Sequence, residues 1–401
     1  MVNNKYAVVT PTYVGHFHFI QKYIESFSKY SRGEKIPLYL TVEENDIYEL
    51  QKICSVYPDV DVRIISFETI LSRFGIKKNT SELLSSMGRF SYQTIKKLYT
   101  LLYIKEEKTL VIDSESMMVA DCDLSLLFDH YFASPFVSYS ELGDKEFNST
   151  FTKSVVDNSS YLLCDNNDKY FLENFVWFYD KSILQDLCRE VGSPYEMVMR
   201  LETEKRTNLF EIQIYHHFIY KNRVKYKYDA INVINSLKNR LETAEFSSYM
   251  NKYYELYKGN CGVLERAASC VDKHNWYKVA TLLKDIRFNI IRSEYSSRMK
   301  YHSLFIHEVN PFLLCASQDH SFGINSNWFN KLIDMSDTRW EIEMIKNNIG
   351  KYINSIRKSV LYRVPRVIIK FIVNPIRYIL NLFAFYNVAI KLTLHFKYSA
   401  E

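Results

Sequence analysis

Glycine and proline are scarce in this 401-residue chain, at 10 and 8 residues. Their scarcity excludes collagen-like repeats, linker-rich arrays and low-complexity architectures. Cysteine is sparse as well. Cys54, Cys122, Cys164, Cys188, Cys261, Cys270 and Cys315 are odd in number and far apart, with no CxxC pair and no histidine at zinc-finger spacing. That pattern excludes a disulfide framework or a structural zinc site and points to reduced thiols in a cytosolic protein. The N-terminus, MVNNKYAVV, has no basic segment ahead of a long apolar run, so the sequence predicts no secretion signal.

Acids are nearly absent from one region only. From Lys351 onward nine Lys and Arg face a single acid, Glu401, so the tail carries +8 of a total of +5 and leaves −3 for the first 350 residues. Duplex binding normally spreads a basic face over the fold. The body therefore argues against a nucleic-acid partner. What the chain does have is apolar mass, at 47% hydrophobic residues with 32 Tyr and 26 Phe. That fills the core of one large or two ordinary domains.

Along the first half, apolar runs alternate with helical periodicity. Tyr6–Thr10 reads as a strand closed by the turn Pro11-Thr12-Tyr13-Val14-Gly15, and Phe17, Ile20, Ile24 and Phe27 recur at helical spacing until Ser31-Arg32-Gly33. Pro37–Val42 and Val60–Ser66 read as two more strands with a polar helical stretch between them. A longer helix, roughly Ser91 to Lys105, leads into the strand Thr109–Ile112. The alternation predicts an α/β fold with βαβ units and a mainly parallel sheet.

The strand Thr109–Ile112 ends in Asp113-Ser114-Glu115, and Asp121 and Asp123 follow. Open α/β sheets bind ligands at the carboxyl ends of their strands. Two carboxylates at i and i+2 there can project toward one hard cation, Mn²⁺ or Mg²⁺, that neutralises the phosphates of a nucleotide; an acidic pair can equally cap a turn. On the preceding helix, Gln93 and Lys97 lie four apart and share a face, so an amide and an ammonium can reach one ligand. Lys96 points elsewhere and reads as solvated.

The strand ending in Thr10-Pro11-Thr12-Tyr13, the helix carrying Gln93-x-x-x-Lys97-Leu98 and the run Leu110-Val111-Ile112-Asp113-Ser114-Glu115 together resemble the nucleotide-sugar-binding half of GT-A glycosyltransferases. The nearest flavour is the bacterial enzymes that build capsule, O-antigen or lipooligosaccharide. The resemblance covers roughly the first 240 residues. It implies a Rossmann-like central sheet flanked by helices, a nucleotide-sugar donor, a glycan or lipid-linked glycan acceptor, and a Mn²⁺ or Mg²⁺ ion. By position, Thr10, Pro11, Thr12, Tyr13, Gln93, Lys97, Asp113 and Ser114 would bind donor, Asp113 lying near the ribose or the metal, and Glu115 would be the direct metal ligand. The chain departs from the usual DxD in carrying Glu at the third place.

Asn208 looks like a helix cap with Glu211 three residues later, followed by an amphipathic helix. The resemblance makes Glu211 the catalytic base of an inverting transfer, taking the proton from the acceptor hydroxyl; as a local element it completes a capping box. Glu141 and Asp144 are rival bases. His216, His217, His16 and His18 read as structural, and Trp177 as core strand. Tyr13 can stack on a base.

Residues 241–350 read as mixed helix, an accessory or acceptor-side region, after a catalytic region spanning 1–240. In 351–401 a basic stripe through Arg363, Arg366, Lys370, Arg377 and Lys391 faces a broad apolar one, and the longest uncharged stretch, Tyr378–Ile390, is too short to span a bilayer. The tail is therefore expected to lie on an anionic membrane surface, on the cytosolic face, as a peripheral element. Two functions follow from these features: a metal-assisted glycosyltransferase, or a non-catalytic membrane-associated relative that keeps the fold alone.

Overall fold

A computed structural model describes residues 5–118, 121–141, 150–173, 177–259, 262–286, 290–293, 305, 308–309 and 313–316. All of these fall in one compact unit, Met1–Phe322. Asp144 and the basic tail lie outside the described residues.

The strands in chain order are β1 (Tyr6–Pro11), β2 (Ser31–Arg32), β3 (Leu38–Val42), β4 (Val62–Ser66), β5 (Lys108–Val111), β6 (Ser116–Met118), β7 (Cys122–Asp123), β8 (Phe136–Glu141), β9 (Lys169–Tyr170), β10 (Phe178–Asp180), β11 (Asp229–Asn232), β12 (Ile290–Ser293) and β13 (Leu313–Ala316). The helices that matter for the site are α1 (Phe17–Tyr30), α2 (Ile47–Cys54), α3 (Phe67–Arg73), α4 (Thr80–Tyr103), α5 (Leu124–Ala133), α6 (Thr150–Leu163), α7 (Lys181–Val191), α8 (Pro194–Thr203) and α9 (Glu211–Lys221).

The central sheet has the order β10-β5-β1-β3-β4, parallel except for β10, which runs antiparallel to β5. The fold is thus α/β with a mainly parallel sheet, as the alternation of runs predicts. Its inner strands are buried at nearly every position because both faces are covered. Val8, for example, is in register with Leu38 on one side and Leu110 on the other. From β1 the chain steps outward to β3 and β4, then returns across β1 to β5. This reversal opens a crevice beyond the carboxyl ends of β1 and β5.

Helix α4 walls that crevice and is longer than its periodicity predicts. Gly88 divides it, with φ 73° and ψ 165°, a region open to glycine and closed to residues with a side chain. A Cβ added there would meet nothing within 4 Å, so the demand is conformational. Beyond the break, Ser91–Leu101 is buried almost throughout, with Gln93 exposed.

Three corrections concern local structure. Asn208 does not cap α9: it adopts a left-handed φ of 71° and donates from Nδ2 to Ser154 Oγ at 3.0 Å, while Phe210 occupies the N-cap. Glu211 is therefore the first residue of the helix and completes no capping box. Among the described residues, 241–286 hold the helices Thr243–Tyr257, Ala267–Cys270 and Trp276–Asp285, but β12 and β13 add a small sheet to β6 that the helical reading did not include. Lys96, read as solvated, is only 3% exposed.

Candidate active site

A cleft of about 460 Å³ lies at the crevice, walled by Pro11 at the end of β1 and Thr12, Tyr13 and His16 after it, by Glu43 after β3, by both arms of α4, and by Asp113, Ser114 and Glu115 after β5. Eight of the residues marked by sequence meet here: Pro11, Thr12, Tyr13, Gln93, Lys97, Asp113, Ser114 and Glu115. Thr10 does not line the cleft; its hydroxyl turns inward to Tyr23 Oη at 2.7 Å. Glu211 is also behind the wall rather than on it.

The β1 turn is built for close approach. Thr12 is tied to the sheet by its N–H donating to Thr41 O at 2.9 Å. Tyr13 folds back so that its ring lies 4.3 Å from that of His16, and a Cβ on Gly15 would stand 2.5 Å from the Tyr13 ring. A side chain at position 15 would therefore oblige the exposed Tyr13 ring to shift. Tyr13 keeps 41% of its surface exposed at the cleft mouth. His16, read as structural, reaches across to the acids, with Nδ1 2.7 Å from Ser114 Oγ and 3.7 Å from Glu115 Oε2.

Beyond β5 the chain turns tightly, with Ser116 N–H donating to Asp113 O at 3.0 Å. The other two acids of the sequence cluster leave the site. Asp121 pairs with Arg32 at 2.8 Å, and Asp123 accepts from the backbone of Ser125 and Leu126 to cap α5. The hydrogen bonds from Ser125, chiefly through its side chain, hold the Asp123 carboxyl below its ordinary range.

Lys97 is the hub of the inner wall. Its Nζ lies 3.1 Å from Asp113 Oδ1 and 2.7 Å from Glu211 Oε1, and 4.1 Å from the centre of the Trp177 ring. Glu211 is 2% exposed, and its second oxygen accepts from Thr94 Oγ1 at 2.8 Å. Burial alone would lower the Lys97 pKa, but Asp113 and Glu211 outweigh it and raise it above the ordinary value.

A second cluster was missed by sequence reasoning. Lys96 Nζ donates to Thr12 O at 2.8 Å and to Glu43 Oε1 at 3.0 Å, and Tyr92 Oη donates to the same Glu43 oxygen at 2.6 Å. Burial lowers the Lys96 pKa, with Glu43 offsetting part of the shift. Burial, then the Glu43 charge, raises that of Tyr92. The signal was present in the sequence: Glu43 follows an apolar strand just as Asp113 does. Arg89 and Phe90 also line the cleft and were not singled out.

The remaining candidates sit elsewhere. Glu141, at the end of β8, lies 3.5 Å from Lys169 and does not line the cleft. His216 is fully buried, with its pKa lowered to about 3 by desolvation. His217 bonds Ser159 Oγ and Asp165 Oδ2 at 3.1 and 3.0 Å. Among the described residues no group of three His, Cys, Asp or Glu side chains is arranged to hold a metal.

No family model matches the chain, and no curated protein is similar to it in sequence. Similar solved structures do exist. Mouse xyloside xylosyltransferase 1 in its apo form is 10% identical, with 64% of this chain and 94% of that one covered at a TM-score of 0.36. The glycosyltransferase GlyE of Streptococcus pneumoniae is 12% identical over 85% of this chain and 62% of that one, at 0.36. An active-site mutant of LgtC is 10% identical over 81% and 94%, at 0.40. At such scores the likeness is one of loose fold, and the functional reading rests on the chain's own residues.

Proposed function

We propose that the chain is a GT-A-type glycosyltransferase that moves a sugar from a nucleotide-sugar donor to a glycan or lipid-linked glycan acceptor. The observation that carries this reading is the composition of one cleft. At the switch point of a parallel sheet, an exposed aromatic turn, a helix face bearing Gln93 and Lys97, and the strand-end run Asp113-Ser114-Glu115 wall a single space. In this reading Tyr13 offers its ring to the base, and Gln93 and Lys97 face the diphosphate and the sugar. Residues 241–350 would lie on the acceptor side.

Asp113 and Glu115 are the residues that would hold Mn²⁺ or Mg²⁺. Carboxylate oxygens suit these hard ions, and two of them leave the other positions to water and phosphate oxygens. The charge balance supports the fit. Arg89, Lys96 and Lys97 on the wall face Glu43, Asp113 and Glu115, and Glu211 also touches Lys97, so the protein alone offers an anionic diphosphate no net positive field. The bound ion would neutralise the departing diphosphate. The test is Glu115→Gln with Mn²⁺ present: turnover of nucleotide-sugars should be lost in the variant, and EDTA should abolish it in the wild type. Undiminished turnover in both cases would remove the metal from the proposal, and no turnover of any nucleotide-sugar by the wild type would leave the non-catalytic reading.

Glu211 remains the candidate base for an inverting transfer at its helix start. Its burial and its bonds to Thr94 and Lys97 favour a second role, holding Lys97 against the cleft.

We further propose that residues 351–401 attach the protein peripherally to the cytosolic face of an anionic membrane. Their net charge of +8 supports this, at about 1 kcal/mol for each cation near such a surface. Among the described residues no helix is long and apolar enough to cross a bilayer. Co-sedimentation with anionic liposomes should be strong for the full chain and largely lost for one ending at Asn348. Equal sedimentation of both would assign the tail to packing.

A further inference from the structure

We infer that His16 is a positioning residue for the ion: through the Ser114 hydroxyl it holds the Glu115 carboxylate in place, and so sets how tightly Mn²⁺ or Mg²⁺ binds. The inference rests on the proposed metal site and adds to it a histidine whose sequence context reads as structural.

Local structure fixes the ring before it meets the acids. His16 ends the short helical turn Val14–His16 and is buried, and its backbone N–H donates to Tyr13 O at 2.8 Å. Its ring is flanked by that of Tyr13 at 4.3 Å and, edge to face, by that of Phe19 at 5.4 Å. A ring packed between two aromatics has little freedom to turn, so the fold sets where Nδ1 points. That atom faces the turn after β5, 2.7 Å from Ser114 Oγ and 3.7 Å from Glu115 Oε2, and Ser114 Oγ stands 3.4 Å from the same carboxylate oxygen.

Chemistry gives these contacts a direction. A carboxylate only accepts hydrogen bonds, so the Ser114 O–H points to Glu115, and the Ser114 oxygen is left to accept from His16 Nδ1–H. The result is a chain from imidazole to hydroxyl to carboxylate. Such bonds reinforce one another where water is kept out, and Ser114 and Glu115 are both 2% exposed. The two proposed ligands of the ion are thus held by different neighbours, Asp113 by Lys97 at 3.1 Å and Glu115 by the segment that opens α1. Partners that orient a ligating side chain change metal affinity by about 10–100-fold when removed.

Titration of the full-length protein with Mn²⁺ alone, free ion being read by electron paramagnetic resonance, tests this without any turnover. His16→Phe keeps a ring between Tyr13 and Phe19 but removes the donor, and should weaken Mn²⁺ binding about 10-fold. His16→Asn, whose amide nitrogen is as many bonds from the backbone as Nδ1, should recover most of that loss. Ser114→Ala cuts the chain without touching His16, serves equally if His16→Phe folds poorly, and should weaken binding to a similar extent. Because both act through one carboxylate, the double variant should lose little beyond either alone. Unchanged affinity in folded His16→Phe or Ser114→Ala protein, an Asn variant as weak as the Phe one, or additive losses in the double variant would each overturn the inference and leave the metal site standing. Failure of the wild type to bind Mn²⁺ would remove the metal site itself, and the inference with it.

Discussion

Lys96 and Lys97 are neighbours on one helix and live in opposite surroundings. Lys96 meets a backbone carbonyl and one carboxylate, and burial lowers its pKa; Lys97 meets two carboxylates, and they raise it. Helical geometry explains the divergence, because successive residues turn by about 100° around the axis. One side of α4 therefore faces the turns after β1 and β3, the other the turn after β5 and the start of α9. The helix divides the cleft into a half with a charge-balanced pair and a half in which one cation holds two acids. In the proposed function these halves correspond to base recognition and to the diphosphate and sugar.

The largest expected effect breaks the second half. Lys97→Met leaves Asp113 and Glu211 as buried carboxylates without their shared cation, a loss of about 3–5 kcal/mol. Lys96→Met leaves one partly exposed carboxylate that still accepts from Tyr92, so its cost should be about 1–3 kcal/mol. Urea unfolding at neutral pH checks the order. Equal losses, or a larger one at Lys96, would mean that the two lysines are not distinguished by the number of acids they hold.

Glu211→Gln sharpens the same contrast through function. If Glu211 acts through Lys97, nucleotide-sugar affinity should change about 10-fold, because the ammonium keeps an amide acceptor but loses one of its two charged partners. A general base would instead slow turnover by about 10²-fold or more with donor affinity nearly intact. The burial of Glu211 favours the first outcome. A KM-against-kcat comparison decides it, and intact donor binding with slow turnover would restore the base.

These contrasts show what one dimension carries. The parallel sheet and the acids after β5 were legible because burial on both faces leaves an unbroken apolar run, and a carboxylate that interrupts it stands out. Glu43 has the same signature in Tyr39-Leu40-Thr41-Val42-Glu43, but Glu44 and Asp46 behind it made the segment read as the polar start of a helix. Lys96 was misread because a helix was given one buried face, whereas α4 beyond Gly88 is wedged and buried on nearly all sides. Asp121 and Asp123 were grouped with Asp113 by proximity in sequence, yet β6 carries the chain away from the cleft before they arrive. Asn208 failed as a cap because its left-handed φ leaves no trace in residue type alone.

The smallest expected effect is a pH dependence that separates the two halves without changing the site. Lys96 has a folded pKa below its unfolded value near 10.4, so the unfolded chain binds more protons between those two values, and stability gains from Lys96 as pH rises through that window. Lys97 has a folded pKa above its unfolded value. Its contribution is complete below about 10.4 and is lost only as pH climbs toward the raised value. Many other lysines and tyrosines titrate in the same range, so the useful quantity is the deficit of each Met variant relative to the wild type. The Lys96→Met deficit should widen as pH rises toward about 10, whereas the Lys97→Met deficit should hold steady there and shrink only beyond it. Urea midpoints at three alkaline pH values measure both trends. Deficits that move together in the same direction would mean that the two ammonium groups share one electrostatic environment, and the division of the cleft by α4 would then be geometric alone.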